Sequence, residues 1–326
     1  MSNLVFLPAY QIAQGIRART FSAVEVLEAY FAQIAEHNSQ LNAIATLDEA
    51  RARKRAKEAD EALVRGEIWG ALHGVPITVK DALATEGLRT TCNYQPLANY
   101  VPQQDAIAVA RLRAAGAIVM AKTNCATLAG DYQADGSLFG RANNPWNLDY
   151  TPGGSTSGGA AAVAAGLSPL ELGSDVGGSI RQPAHCCGIY GFKPTDRLVP
   201  TIGHLPELPG YPQSIRHALT VGALARSIQD LKLCLSLIAG ADSRQPEIPP
   251  VTLATPLEKS LSSLRLAWTS ELGNLTVDRE ISSALTNFVT QLADAGCQIE
   301  QQVPQEFDFD TAWETYGGAT RKSWFF

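Results

Sequence analysis

The sequence has little of what most often announces a catalytic apparatus. Five histidines occur in 326 residues, at positions 37, 73, 185, 204 and 217. They are scattered, form no HExxH pair and stand apart from the serine clusters below, so they read as structural or surface groups. Six cysteines, at 92, 125, 186, 187, 234 and 297, form no CxxC and no zinc spacing. The set reads as reduced, mostly buried thiols, and no metal is expected. Neither GxxxxGKS/T nor GxGxxG is present, so a nucleotide loop has little support and no cofactor is expected.

Charge is scarce as well. Charged residues make up 18% of the chain, and the net charge is −6. The one basic run, Arg51–Lys57, reads as a solvated helix face, and a nucleic-acid surface is not expected. No apolar stretch reaches membrane-spanning length, and the amino end, MSNLVFLPAY, lacks a basic n-region and a long apolar h-region. Cytoplasmic residence without a membrane partner is the default expectation. Internal repeats and low-complexity tracts are absent. With 45% hydrophobic residues the chain can bury a large core in one or two domains.

What is there is glycine and serine in two clusters, GGSTSGG at Gly153–Gly159 and GSDVGGSIRQP at Gly173–Pro183, with a lysine upstream in the VKD of Val79–Asp81. A serine hydroxyl is a poor nucleophile at neutral pH. It needs a base for its proton and fixed donors for the oxyanion formed on attack. Gly177 and Gly178 leave the backbone bare before Ser179 and let successive N–H groups converge, so Ser179 is the candidate nucleophile. Lysine can be the base only when neutral, which burial beside hydroxyls and backbone promotes. Lys80 follows the apolar run Val75–Val79, which reads as a buried strand, and its amine is expected to project inward. Asp81 would hold a proton on Lys80 if aimed at it, but strand alternation sends neighbours to opposite faces. Ser155, able to accept and donate, supplies a relay. The expected proton path is Ser179 to Ser155 to Lys80, with no histidine.

The remaining pattern reads as α/β. Ser22 and Glu25 spell a capping box ahead of Leu27, Tyr30, Phe31 and Ile34 at helical spacing, which predicts a helix over 22–37. A second helix is expected over Asp48–Arg65. From Leu72 short apolar strands alternate with helices, including Ala106–Ala115 followed by Ala117–Ala121. A helix over Ala160–Ala165 and a strand over Pro169–Gly173 flank the two clusters. Pro200–Arg216, rich in proline, predicts a long loop over the site and a specificity element. Pro246–Pro256 reads as a linker, and Leu264–Thr269, Asp278–Ala295 and Cys297–Val303 as a strand-helix-strand unit, followed by a helical stretch over Phe307–Thr320.

The clusters, the lysine and their flanks resemble the amidase signature family, whose members cleave amide bonds with a Ser-cisSer-Lys triad. The resemblance runs through LHGVPITVKD at Leu72–Asp81, AIVMAKTN at Ala117–Asn124, NNPWNLDYTPGGSTSGG at Asn143–Gly159 and GALARSIQDL at Gly222–Leu231. The spacing of Ser155 and Ser179 is also the family's. The resemblance implies Ser179 as nucleophile, Ser155 as the bridging serine on a cis peptide and Lys80 as base. It puts the oxyanion hole on the N–H groups of Val176, Gly177, Gly178 and Ser179. It makes Asp175 and Arg181 supports of the nucleophile loop. Asn124 and Cys125 follow a strand near this site and are candidate pocket residues, with plain packing the favoured reading for the cysteine. Thr156 and Glu171 depart from the usual family pattern, and Glu171 reads as a carboxylate satisfied by local backbone or an arginine.

The implied fold is a mixed, largely parallel β-sheet flanked by helices, one domain over 1–326. Its expected parts are an N-terminal helical layer at 1–66, a catalytic core at 67–245 and an incomplete C-terminal α/β part at 257–326. The implied activity is hydrolysis of a small-molecule, non-peptide carboxamide through an acyl-enzyme. The alternative is the A-type subunit of a glutamine-dependent tRNA amidotransferase, whose pattern Ile202–Tyr211 does not resemble. Homo-oligomer formation is left open. Family members continue beyond residue 326, so the resemblance also leads us to expect a weakly active or inactive chain, with one wall of the pocket missing.

Overall fold

The computed structural model describes residues 4–133, 135–206, 215, 217–254, 259–270, 275–304 and 306–324. They fall into two compact units, Met1–Thr252 and Leu253–Phe326, with the boundary inside the predicted 246–256 linker.

The first unit opens with helices α1 (Ala9–Arg17) and α2 (Ala23–Leu41). The capping box is formed at the start of α2: Glu25 N–H donates to Ser22 Oγ at 3.0 Å, and Ser22 N–H to Glu25 Oε2 at 2.7 Å. Asn42, in the left-handed conformation at φ 47°, ends the helix, four residues beyond the predicted limit. Strand β1 (Ile44–Leu47) and helix α3 (Glu49–Val64) follow, the latter with five buried residues, four of them alanines, on one face.

The core begins at β2 (Pro76–Lys80), one residue later than predicted, so Lys80 closes the strand rather than following it. Helix α4 (Ile107–Ala114), β3 (Ile118–Thr123), α5 (Ser157–Ala164), β4 (Leu170–Asp175), α6 (Arg181–Cys187), β5 (Tyr190–Phe192), β6 (Thr220–Ala225) and α7 (Ile228–Ile238) complete the unit. The sheet order is β1-β3-β2-β4-β6-β5. β2 pairs in parallel with β3 and β4, while β1 is antiparallel to β3, β6 to β4 and β5 to β6. Four of the six strands therefore share one direction, the mixed, largely parallel sheet expected. Every residue of β2, β3, β4 and β6 is buried. That explains why they read as unbroken apolar or small-residue runs rather than alternating ones.

Register decides where the chemistry lies. Lys80 is level with Thr123 on β3, and Val79 with Leu172 on β4. The carboxyl ends of three parallel strands thus present Lys80, the Thr123–Asn124 junction and the last residues of β4, Ser174 and Asp175, together, the usual location for a site in an α/β sheet. Helix α5 packs on β4 and α6, and its small residues are required there. A Cβ added to Gly158 would lie 2.2 Å from the Ala43 carbonyl oxygen, and one added to Gly159 would lie 2.4 Å from Glu171 Oε1. This is why the serine cluster continues into SGGAAA.

The second unit holds β7 (Arg265–Trp268), α8 (Arg279–Asp294), β8 (Gln298–Gln301) and α9 (Phe309–Trp324). β7 and β8 pair in parallel with Arg265 level with Gln298, the predicted strand-helix-strand unit. Among the described residues, no helix is long and apolar enough to cross a membrane.

Candidate active site

Lys80 is fully buried at the end of β2. Its Nζ is hydrogen-bonded to Ser155 Oγ at 2.7 Å and Ser174 Oγ at 3.0 Å, with the Ser174 carbonyl at 3.4 Å. Burial pushes its pKa below the ordinary lysine value, while Cys125, Cys92, Asp175 and Glu171 pull the other way. Asp81 does not meet it. The Asp81 carboxylate turns to Thr91, accepting from its N–H at 3.0 Å and its hydroxyl at 2.5 Å, as strand alternation predicts.

Ser155 sits in the turn before α5, fully buried, and the Gly154–Ser155 peptide is cis. Two bonds fix the turn: Gly154 N–H to Gln182 Oε1 at 2.7 Å and Ala126 N–H to the Ser155 carbonyl at 3.3 Å. The next amide, Thr156 N–H, donates to the Ser179 carbonyl at 3.2 Å, which joins the two serine clusters. Ser179 is 8% exposed, on the bend between β4 and α6.

That bend is organised by Asp175. Its carboxylate accepts from Gly178 N–H at 2.8 Å and Ile180 N–H at 2.9 Å, and from Arg181 Nη2 at 2.8 Å and Nε at 3.1 Å. Burial opposes ionisation, but Arg181 and the two N–H donors outweigh it and hold the carboxyl below its usual range. Of the four amides expected to face an oxyanion, that of Gly178 is therefore occupied by Asp175. Among the described residues no acceptor takes the N–H groups of Val176, Gly177 or Ser179. Tyr132 steadies the same bend from outside, donating its hydroxyl to the Gly177 carbonyl at 2.7 Å. The Asp131–Tyr132 backbone also lies against Gly154, where a Cβ would come within 2.7 Å of the Asp131 carbonyl oxygen.

Asp175→Ala would take the carboxylate acceptor away from the N–H groups of Gly178, Ile180 and Arg181. A loss of roughly 2–4 kcal/mol is expected, almost all from the buried amides, since Arg181 is half in solvent and its ion pair adds little. Because the folded carboxyl titrates below its unfolded value, the contribution is fully present above about pH 4 and disappears as pH falls through the depressed value. Denaturant unfolding at pH 7 checks this; a loss under about 0.5 kcal/mol would mean the bend is held by other contacts.

Other expected residues are placed differently. Asn124, a candidate pocket residue, and Cys125, for which packing was the favoured reading, are fully buried. The Asn124 amide donates to the Asn42 and Gly140 carbonyls and accepts from Asn93, all within 3.1 Å. Cys125 packs with Ala82, Cys92 and Leu205, and the neighbouring Cys92 and burial push its thiol up. Glu171 is held neither by backbone nor by arginine: it accepts from the Thr123 hydroxyl at 2.7 Å, and burial raises its carboxyl to about 7. The predicted loop over 200–216 lies partly outside the described residues, at 207–214 and 216.

Two buried groups escaped the sequence reading. Lys122, level with Val79 on β2, donates to the Leu83 carbonyl and to Thr85 Oγ1, and burial lowers its pKa to about 8. It ties down the chain leaving β2. His204, read as structural or surface, contacts the second cluster: its Nε2 is 2.8 Å from Ser174 Oγ. His73 is structural, bonded to the Ala59 carbonyl and Trp69 N–H. Among the described residues, no three His, Cys, Asp or Glu side chains are grouped to hold a metal.

Fold and site together define a mixed α/β protein built around a buried Ser–Lys pair and a Ser/Gly bend at the ends of parallel strands. The chain belongs to the amidase signature family, whose model, described as Amidase, matches residues 25–321. The A-type subunit of glutamyl-tRNA(Gln) amidotransferase from Carboxydothermus hydrogenoformans is 37% identical over 302 residues, covering 92% of this chain and 61% of that protein. Its counterpart from Roseiflexus sp. strain RS-1 is 39% identical over 283 residues, covering 86% and 56%. Among solved structures, a fatty acid amide hydrolase superposes with a TM-score of 0.86 at 27% identity, over 98% of this chain and 56% of that one. A bacterial aryl acylamidase does so with a TM-score of 0.83 at 25% identity, over 95% and 64%. The chain spans about three fifths of the length of these curated relatives.

Proposed function

We propose that this chain carries the catalytic site of an amide-cleaving enzyme, with Ser179 as nucleophile, Ser155 as relay and Lys80 as base. The observation that carries the reading is the fully buried Lys80 amine, 2.7 Å from Ser155 Oγ, with its remaining hydrogen bonds on Ser174 and none on a carboxylate. Burial without a salt bridge favours the neutral amine that a base requires. Ser179 Oγ attacks the amide carbon as its proton passes to Ser155, whose own proton passes to Lys80. The oxyanion is met by the free amides of the Val176–Ser179 bend. The C–N bond then breaks, the proton returns along the same path to the leaving nitrogen, and ammonia or an amine departs. Water attacks the acyl-enzyme with its proton taken the same way, releasing the acid and restoring Ser179. Asp175 and Arg181 hold the bend. The family match crosses both compact units, which supports reading the two as parts of one amidase domain.

The leading substrate is a small carboxamide, as the aryl acylamidase and fatty acid amide hydrolase names suggest for similar folds. A second reading, a glutamine-using component of a tRNA amidotransferase, is favoured by the curated relatives at 37% and 39% identity. The same triad serves both. A panel of aliphatic and aryl amides plus glutamine, assayed by ammonia release, separates them. Release from simple amides by the protein alone is expected. Release from glutamine only, dependent on tRNA and on partner chains, would establish the second reading, and no release under either condition would refute amide cleavage.

A further inference from the structure

The Ser155–Lys80 pair does not end at the lysine. Lys80 Nζ is 3.0 Å from Ser174 Oγ, and Ser174 Oγ is 2.8 Å from His204 Nε2. All four side chains belong to buried residues, His204 being 3% exposed. His204 is delivered by a segment fastened to the chain just beyond Lys80. Leu205 N–H donates to the Ala82 carbonyl at 2.7 Å, Ala84 N–H to the Gly203 carbonyl at 2.8 Å, and Leu83 and His204 form an antiparallel bridge. On the other side Thr201 N–H donates to Gln245 Oε1 at 2.7 Å. Gly203, at φ 94°, presses this turn onto the start of α4, where a Cβ would lie 2.5 Å from Ala106 Cα.

A neutral amine has two N–H donors and one lone pair, and the lone pair must face the proton it is to take. Ser174 has one hydroxyl hydrogen. If that hydrogen pointed at Lys80 it would occupy the lone pair and compete with Ser155. Among the described residues Ser174 Oγ has two partners, Lys80 and His204, so the hydrogen goes to one or the other.

We propose that His204 is a positioning residue: its bare Nε2 accepts the Ser174 hydroxyl, so Ser174 accepts from Lys80 and the lysine lone pair is left for Ser155. The inference rests on the hydrolase reading above. The two N–H groups of neutral Lys80 then fall on Ser174 Oγ and on the Ser174 carbonyl at 3.4 Å. His204 Nδ1 makes no hydrogen bond of ordinary geometry among the described residues, but the Leu205 backbone beside the ring favours a ring proton, which suits a proton on Nδ1 and a bare Nε2 facing Ser174. Burial and the facing Lys80 hold the imidazole down to about 3, so it stays neutral while the enzyme works. The groups that face Lys80 itself are Cys125, Cys92, Asp175 and Glu171.

The test measures the rate at which a fluorophosphonate labels Ser179 across pH in the wild type, His204→Ala, His204→Gln, Ser174→Ala, Ser174→Thr and the Ser174→Ala/His204→Ala double variant. His204→Ala should slow labelling about tenfold on the alkaline plateau. It should also move the acid limb to lower pH, because a hydroxyl freed to donate to Lys80 stabilises the neutral amine. Ser174→Thr should stay within about twofold, His204→Gln, which restores an acceptor, should recover part of the loss, and the double variant should equal Ser174→Ala alone. A wild-type rate and pH profile in His204→Ala, or independent additive losses, would overturn the inference. Two-bond 1H–15N correlations of the wild-type protein supply a readout that does not need turnover or stable variants. A His204 ring protonated at Nδ1, and unchanged from pH 5 to 9, supports the proposal; protonation at Nε2 refutes it. Absence of any Ser179 label in the wild type would strike the hydrolase reading, leaving the tautomer to judge the hydrogen-bond arrangement.

Discussion

Ser179→Ala is expected to lower amide hydrolysis by roughly 10⁴-fold or more, because no acyl-enzyme can form without the nucleophile. Ser155 cannot take over, being fully buried and engaged with Lys80 at 2.7 Å. The fold should be unaffected. Only a hydroxyl is removed, and the backbone bond from Thr156 N–H to the Ser179 carbonyl, which joins the two clusters, is retained. An unchanged denaturation midpoint beside lost hydrolysis is the expected pair of results. A variant within tenfold of the parent rate would mean that the attacking group is another residue.

Lys80→Ala is expected to remove most of the rate, on the order of 10³-fold, and with it the acid limb of the pH profile. The sign follows from burial: the amine's pKa lies below its ordinary value, the base is the neutral form, and activity should rise as pH passes upward through that depressed value. Two other buried groups cannot imitate this limb. His204 is held down to about 3 and is neutral throughout, and Glu171, raised to about 7, is bonded to Thr123 rather than to either serine. If Glu171 set the limb, it would survive Lys80→Ala and vanish in Glu171→Gln. Lys80→Arg should not rescue, since a guanidinium keeps its proton. An arginine variant with the parent rate and profile would make Lys80 structural.

Much of this site was legible before the fold was known. The residues the proposal uses announce themselves by type: glycines that bare amides before Ser179, the Ser155 hydroxyl, and the lone Lys80 amine after an apolar run. Helix α2 was legible because its capping box and apolar spacing are local. What sequence did not show is what depends on contacts between distant segments. Ser174 looked like part of a glycine-rich turn, yet it is the atom that links Lys80 to His204, and His204 arrives only because residues 203–205 pair with 82–84. Gly178 was expected to face the oxyanion, but the Asp175 carboxylate three residues back captures its amide, a local competition that residue type alone does not reveal. Asn124, a candidate pocket residue, sits at the right strand end but donates its amide to the Asn42 and Gly140 carbonyls. Strand β6 was missed as a strand because only its first two residues, Thr220 and Val221, are β-branched and the GALA that follows shows no alternation; its antiparallel ladder with β4, from Leu170–Ala225 to Asp175–Thr220, gives it its conformation.

Peptide mapping of the protein after exposure to a fluorophosphonate tests the central claim most directly. The account predicts a single adduct on Ser179, formed faster as pH rises and absent in Ser179→Ala. An adduct on Ser155 or elsewhere, or labelling of Ser179 at a rate independent of pH and of Lys80, would contradict it.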